Sequence, residues 1–153
     1  MKSRRIEPLL RFREAREDDR RRDAARADER LHAHDALIAS MARRIDDLVE
    51  EIERGTAAGL DGAELRMREE HLAALQNQRL LAVAIRVELE RERELERERL
   101  LGAHRERRAV ENLMTRTVAD EREERARNER AQITELAVLG SLRDSALSTR
   151  SIS

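Results

Sequence analysis

From Leu31 onward, apolar residues return every seven positions: Leu31, Ile38, Ile45 and Ile52, with Met41 and Leu48 at the matching intermediate spacing. Such a repeat lays one stripe of side chains along a helix, the a/d seam of a coiled coil. His34 falls on a d position in this run and reads as a tolerated seam residue rather than a ligand. Leu65, Leu72 and Leu75 open a second stripe with the same spacing. Between the stripes stand Gly55, Gly59 and Gly62, three of the chain's five glycines. Glycine inside a helix costs roughly 1 kcal/mol, so the cluster marks a break. Gly55 is placed to end the first helix as its C′ residue. Asp61 is placed as N-cap of the second, with Glu64 completing a capping box and Leu60 and Leu65 forming a hydrophobic staple. The expected fold is all-α: two long helices in an antiparallel coiled-coil hairpin, helices over about 9–54 and 62–139 joined by a turn at 55–61.

Folding the chain about residue 58 or 59 sets Ile52 near Leu65, Ile45 near Leu72 and Ile38 near Arg79. The register is expected to slip after Leu75. Leu80, Leu81, Val83, Ile85 and Val87 then spread around the helix, either as a binding surface or as a broad seam overlaid by arginine stems. The stretch Glu88–Arg99 alternates Glu with Arg or Leu; Glu-to-Arg pairs three apart favour helix over strand, with a solvated face. Farther along, Ile6, Leu9 and Leu10 come opposite Val110, Leu113 and Met114 as a second apolar clasp. Residues 16–24 facing 93–101 are expected to be loosely held. The second helix then overhangs the first from about residue 118 to 139, carrying Ile133, Leu136, Ala137 and Leu139, with Gly140 as its C-cap. At the ends, residues 1–8 read as a basic leader with Pro8 in the first helical turn, and 141–153 as a Ser-rich disordered tail.

Composition supports helices and removes several functions. Charged residues are 42% of the chain and aromatics 1%, too few large apolar groups for a compact globular core. The 32 basic residues meet 33 acidic ones, leaving a net charge of −1 and little long-range positive field, so nucleic acid is an unlikely main partner. With no cysteine there is neither a disulfide framework nor a thiolate metal site. The longest apolar-rich run, Leu80–Val87, falls far short of the roughly 20 residues needed to span a bilayer.

Catalysis has no foothold in this pattern. A two-helix hairpin offers no dry concave site, and the four histidines show no metal-ligand spacing. The glycine cluster lacks the Lys-Ser/Thr that follows a phosphate-binding loop. No enzyme activity, cofactor, metal or small-molecule substrate is expected.

Four stretches carry a resemblance to a known family. They are I-E-P-L-L-R-F-R (Ile6 to Arg13), G-L-D-G-A-E-L-R (Gly59 to Arg66), R-R-A-V-E-N-L-M-T-R (Arg107 to Arg116) and E-R-A-Q-I-T-E-L-A (Glu129 to Ala137). Together they resemble the flagellar type III export protein FliJ, related to the injectisome stalk protein YscO. The chain departs from that family in having fewer aromatics and Arg almost throughout in place of Lys. The resemblance implies a non-catalytic coiled-coil stalk of a flagellar export ATPase complex, serving motility. It implies as partners a hexameric export ATPase, the export-gate membrane protein and export chaperones, with a cytoplasmic location peripheral to the inner membrane at the flagellar base. By matched motif it places ATPase contacts at Leu9, Leu10, Arg13, Arg116 and Glu121; gate or chaperone contact is implied nearer the turn, with Leu72, Gln76, Arg79 and Val83 as candidates. Two other readings of the residues stay open: a structural adaptor that self-associates or bridges two proteins, and an Arg-rich nucleic-acid-binding helix.

Overall fold

In the computed structural model, residues 1–152 are described. They form two helices, α1 (Lys2–Ala57) and α2 (Gly62–Ile152), packed against each other as a hairpin with no strand among the described residues. The all-α hairpin expected from the seven-residue repeat is the fold.

The turn closes by a different glycine from the one expected. Gly59, not Gly55, takes the left-handed conformation, at φ +77°. Its N–H donates to the Thr56 carbonyl at 3.3 Å, and the Leu60 N–H donates to the Gly55 carbonyl at 3.0 Å. These two bonds make a Schellman motif with Gly59 at C′, which satisfies carbonyls orphaned by the helix end. Gly55 serves another purpose: it is buried, and a Cβ there would collide with the Leu60 side chain folded back over it. At the far side of the turn, the Asp61 carbonyl accepts the first bond of α2 from Leu65 at 3.1 Å, as an N-cap residue does.

Two compact units can be separated along the hairpin. The larger is Ala15–His104. Its apolar centre is Ile45, Leu48 and Leu75, with Val49, Ile52 and Leu72 packed against them. Burying each such side chain contributes on the order of 2 kcal/mol. On α1 the inward positions run Glu17, Arg20, Ala24, Ala27, Leu31, His34, Ile38, Met41, Ile45, Leu48 and Ile52, an unbroken alternation of threes and fours. On α2 the same register continues past Leu75, through an exposed Arg79, to Ala82, Arg86, Leu89, Arg93, Glu96, Leu100 and Ala103. The expected slip after Leu75 does not occur. Arginines hold several seam positions because their aliphatic stems can lie against the partner helix while the guanidinium reaches carboxylates at the edge. Leu80, Leu81, Val83, Ile85 and Val87 are therefore left off the seam and exposed.

Cross-helix partners also correct the fold point. Glu17 meets His104, Asp35 meets Arg86 and Asp28 lies near Arg93, centring the hairpin on residue 60 or 61. Each α1 residue thus faces a position about one helical turn farther along α2 than folding about residue 58 or 59 gives.

The second unit combines Met1–Glu14 with α2 from Arg105 onward. Ile6 and Leu10 are half-buried on α1, as are Val110, Met114 and Val118 on α2, so an apolar clasp is present. α1 starts at Lys2, several residues before the expected boundary near residue 9, and Pro8 lies inside it. Pro8 denies the Arg4 carbonyl its helical donor. The first turns are tied down instead by Ser3, whose backbone N–H and hydroxyl donate to the Glu121 carboxylate at 3.0 and 2.6 Å. At the other end, Gly140 does not end α2, which continues as helix to Ile152. Leu142, Arg143, Ala146 and Leu147 are good helix formers and offset the cost of one interior glycine. From Arg122 to Ser151 every residue except Ala126 is exposed, so the overhang begins a few residues later than the expected 118, and residues 141–152, expected as a disordered tail, continue it as helix.

Candidate partner interface

All five residues expected to face an ATPase lie in the smaller unit, but they do not form one surface. Leu10 is half-buried on the seam. Arg13, also on the seam, donates to Glu106 at 2.6 Å, so its charge is already answered within the chain. Glu121 accepts both Ser3 bonds, which hold its carboxyl below the usual glutamate range; the Ser3 hydroxyl is the larger cause. These three build the unit from within.

Leu9 and Arg116 are exposed. In an antiparallel pair, the residue just before a seam position lies on the same side of the hairpin whichever helix carries it. Leu9 and Phe12 precede the seam residues Leu10 and Arg13; Leu113 and Arg116 precede Met114 and Thr117. These four therefore share one side of the unit. Leu9, Phe12 and Leu113 are 42, 55 and 49% exposed, and the Arg13 guanidinium lies 5.7 Å above the Phe12 ring. The result is an apolar patch with a basic edge, where a large aromatic is the kind of group that anchors an interface. From the sequence, Leu113 was read only as a clasp residue and Phe12 only as part of the motif Ile6 to Arg13. The signal that could have found them was the one-residue offset from the seam.

The second candidate group divides in the same manner. Leu72 packs in the Ile45–Leu48–Leu75 core. Gln76, Arg79 and Val83, with Leu80, line one shallow groove on the outer side of α2 in the larger unit. Gln76, Leu80 and Val83 each follow a seam position, which puts them on one flank beside Arg79, with Val87 next along it. Leu81 and Ile85 precede seam positions and share the opposite flank with Leu37 of α1. The apolar belt is therefore two flanking strips rather than a broadened seam.

Part of the charge is spent within the hairpin. Asp35 and Arg86 pair at 2.5 Å across the helices; the Arg86 hydrogen bond holds the Asp35 carboxyl low, and Asp35 raises the Arg86 guanidinium in turn. Glu17 is 2% exposed and is met by Arg21 at 2.8 Å and His104 Nδ1 at 3.1 Å. In the Glu88–Arg99 stretch, three of the Glu-to-Arg pairs form, at 88–91, 94–97 and 96–99. The seam histidine His34 lies 2.5 Å from the Ala82 carbonyl, a contact to backbone. Among the described residues no three His, Cys, Asp or Glu are grouped to hold a metal ion, and no helix is long and apolar enough to cross a membrane. The arrangement can present helix flanks to a partner.

Comparison with known proteins gives one family. The family model described as flagellar FliJ protein matches residues 1–145. No curated protein and no solved structure matches the chain.

Proposed function

The chain belongs to the flagellar FliJ family, and from that membership we propose that it is the non-catalytic stalk of a flagellar type III export ATPase complex. Membership makes it a coiled-coil component of flagellar export. The finer reading adds that the smaller unit engages a hexameric export ATPase, while α2 nearer the turn meets the export-gate membrane protein or export chaperones. It would act in the cytoplasm, held peripherally at the flagellar base. The observation that carries the ATPase assignment is the patch of Leu9, Phe12, Leu113 and Arg116 on one side of the smaller unit. Leu10, Arg13 and Glu121 belong to the same site as its internal supports. For the gate or chaperones, the groove of Gln76, Arg79 and Val83 is the contact and Leu72 its support.

A surface of interspersed, nearly balanced charges suits this role, since a transient interface in a polar pore can be small and wet. The nucleic-acid reading has less support because so many guanidiniums are already answered by carboxylates.

The test is stimulation of the purified export ATPase by the full chain. The L9D/R116E double variant changes only exposed residues and should retain full helicity. It should lose most of the stimulation, whereas Q76A/V83D should retain it. Equal stimulation by the wild type and L9D/R116E would overturn the ATPase assignment. Arg13→Glu is a poorer probe, because it sets a carboxylate against Glu106.

A further inference from the structure

From Ile133 to Leu147 every residue of α2 is exposed, and Leu136, Leu139 and Leu142 are 68, 56 and 62% exposed. Their placement is symmetric. Glu135 and Leu136 stand four and three residues before Leu139, and Leu142 and Arg143 stand three and four after it. At 100° per residue all of these lie within roughly 60° of the Leu139 direction. They make a single stripe that reads Glu, Leu, Leu, Leu, Arg.

A stripe of this form is complementary to its own reverse. We propose that the C-terminal extension of α2 joins two copies of this chain, antiparallel, around a two-fold axis at Leu139. The axis stacks Leu139 on the partner's Leu139, sets Leu136 on Leu142 twice, and faces Glu135 with Arg143 twice. That is the isologous pattern a two-fold interface requires. Charge selects the direction. A parallel pair would set Glu135 against Glu135 and Arg143 against Arg143, whereas the antiparallel pair satisfies all four. Neither Glu135 nor Arg143 has an ion-pair partner within the described residues of its own chain, so both are available. Gly140 lies beside the axis with open space around it, which lets the two backbones approach. The contact is short, well below the area of a stable dimer, so association is weak and depends on concentration. It does not depend on the ATPase assignment.

Mass measurement on the full chain by sedimentation or light scattering tests this. The wild type should appear near its monomer mass of 17.8 kDa at about 1 µM and rise toward twice that by about 100 µM. E135R and R143E should each remain monomeric, because each sets like charges across the axis. An equimolar mixture of the two variants should associate, since each reversed side chain then meets an opposite charge, and the E135R/R143E double variant should self-associate again. The chain has no cysteine, so single-cysteine variants report directly. L139C should cross-link to itself on oxidation and L80C should not. Monomer mass throughout would overturn the proposal. So would association indifferent to the charge reversals, or cross-linking through L80C in place of L139C. All of these positions are exposed, and unchanged helicity checks that each variant is folded.

Discussion

Ser3 gives Glu121 two hydrogen bonds, and the consequence is a dependence on pH. The bonds favour the charged carboxylate, so its folded-state pKa is depressed. A depressed carboxylate contributes stability above the ordinary glutamate range and loses it as pH falls through the folded value. Ser3→Ala should therefore lower thermal stability at neutral pH, and the gap from the wild type should close as pH drops below the ordinary glutamate range. A gap unchanged in acid, followed by circular dichroism, would mean that Ser3 acts only by packing. At the apolar centre the expected effect is larger. Ile45→Asp sets a carboxylate against Leu48 and Leu75 and should cost about 2–4 kcal/mol. Arg43→Asp, on the exposed side, should cost well under 1 kcal/mol in the same urea titration. The isoleucine seam was legible in sequence because apolar side chains hold every seam position from Leu31 to Ile52 except His34. The seam arginines Arg86 and Arg93 were not, because a binary apolar pattern scores them as surface although their stems are packed inward.

At the scale of the element, glycine identity decides the turn. Gly59 is the residue with positive φ, so Gly59→Ala should destabilise by about 1 kcal/mol or more. Gly102 is an ordinary interior residue of α2 with nothing within 4 Å of an added Cβ. Gly102→Ala should therefore stabilise by up to about 1 kcal/mol. Opposite signs for these two substitutions in thermal melts would distinguish a required glycine from a tolerated one. Sequence placed the turn correctly because three glycines cluster there, yet could not say which one turns left-handed. That choice depends on where Leu60 folds back, and Gly55 is needed under it. The displaced fold point moved pairings such as Glu17–His104 and Asp35–Arg86 by about one turn. α1 begins early for a similar reason: the Ser3–Glu121 contact spans 118 residues and leaves no local signal.

Across the whole molecule, stability should follow the two units and the extension. The sequence suggested a loosely held middle at residues 16–24; Glu17 and Ala24 are buried within it, and Ala27 and Leu31 just beyond it. Amide exchange should be slowest around Ile45 and Leu75, slower at 17–31 than in the smaller unit, and fastest at 122–151. Uniform protection from end to end would show that ion pairs rather than packed seam residues hold the hairpin. The family was legible from short motifs spread along the chain. The proposed interface was only half legible, because motif matching finds positions without saying which face inward. Leu10, Arg13 and Glu121 support the unit, whereas Phe12 and Leu113 present it.

The central claim is that this hairpin meets an export ATPase through one side of its smaller unit. Hydrogen exchange of the full chain, with and without the assembled ATPase ring, tests it most directly. Added protection should appear at residues 5–14 and 108–118 and be absent at Gln76–Val83. Protection at Gln76–Val83 alone, or none anywhere at saturating ATPase, would contradict the claim.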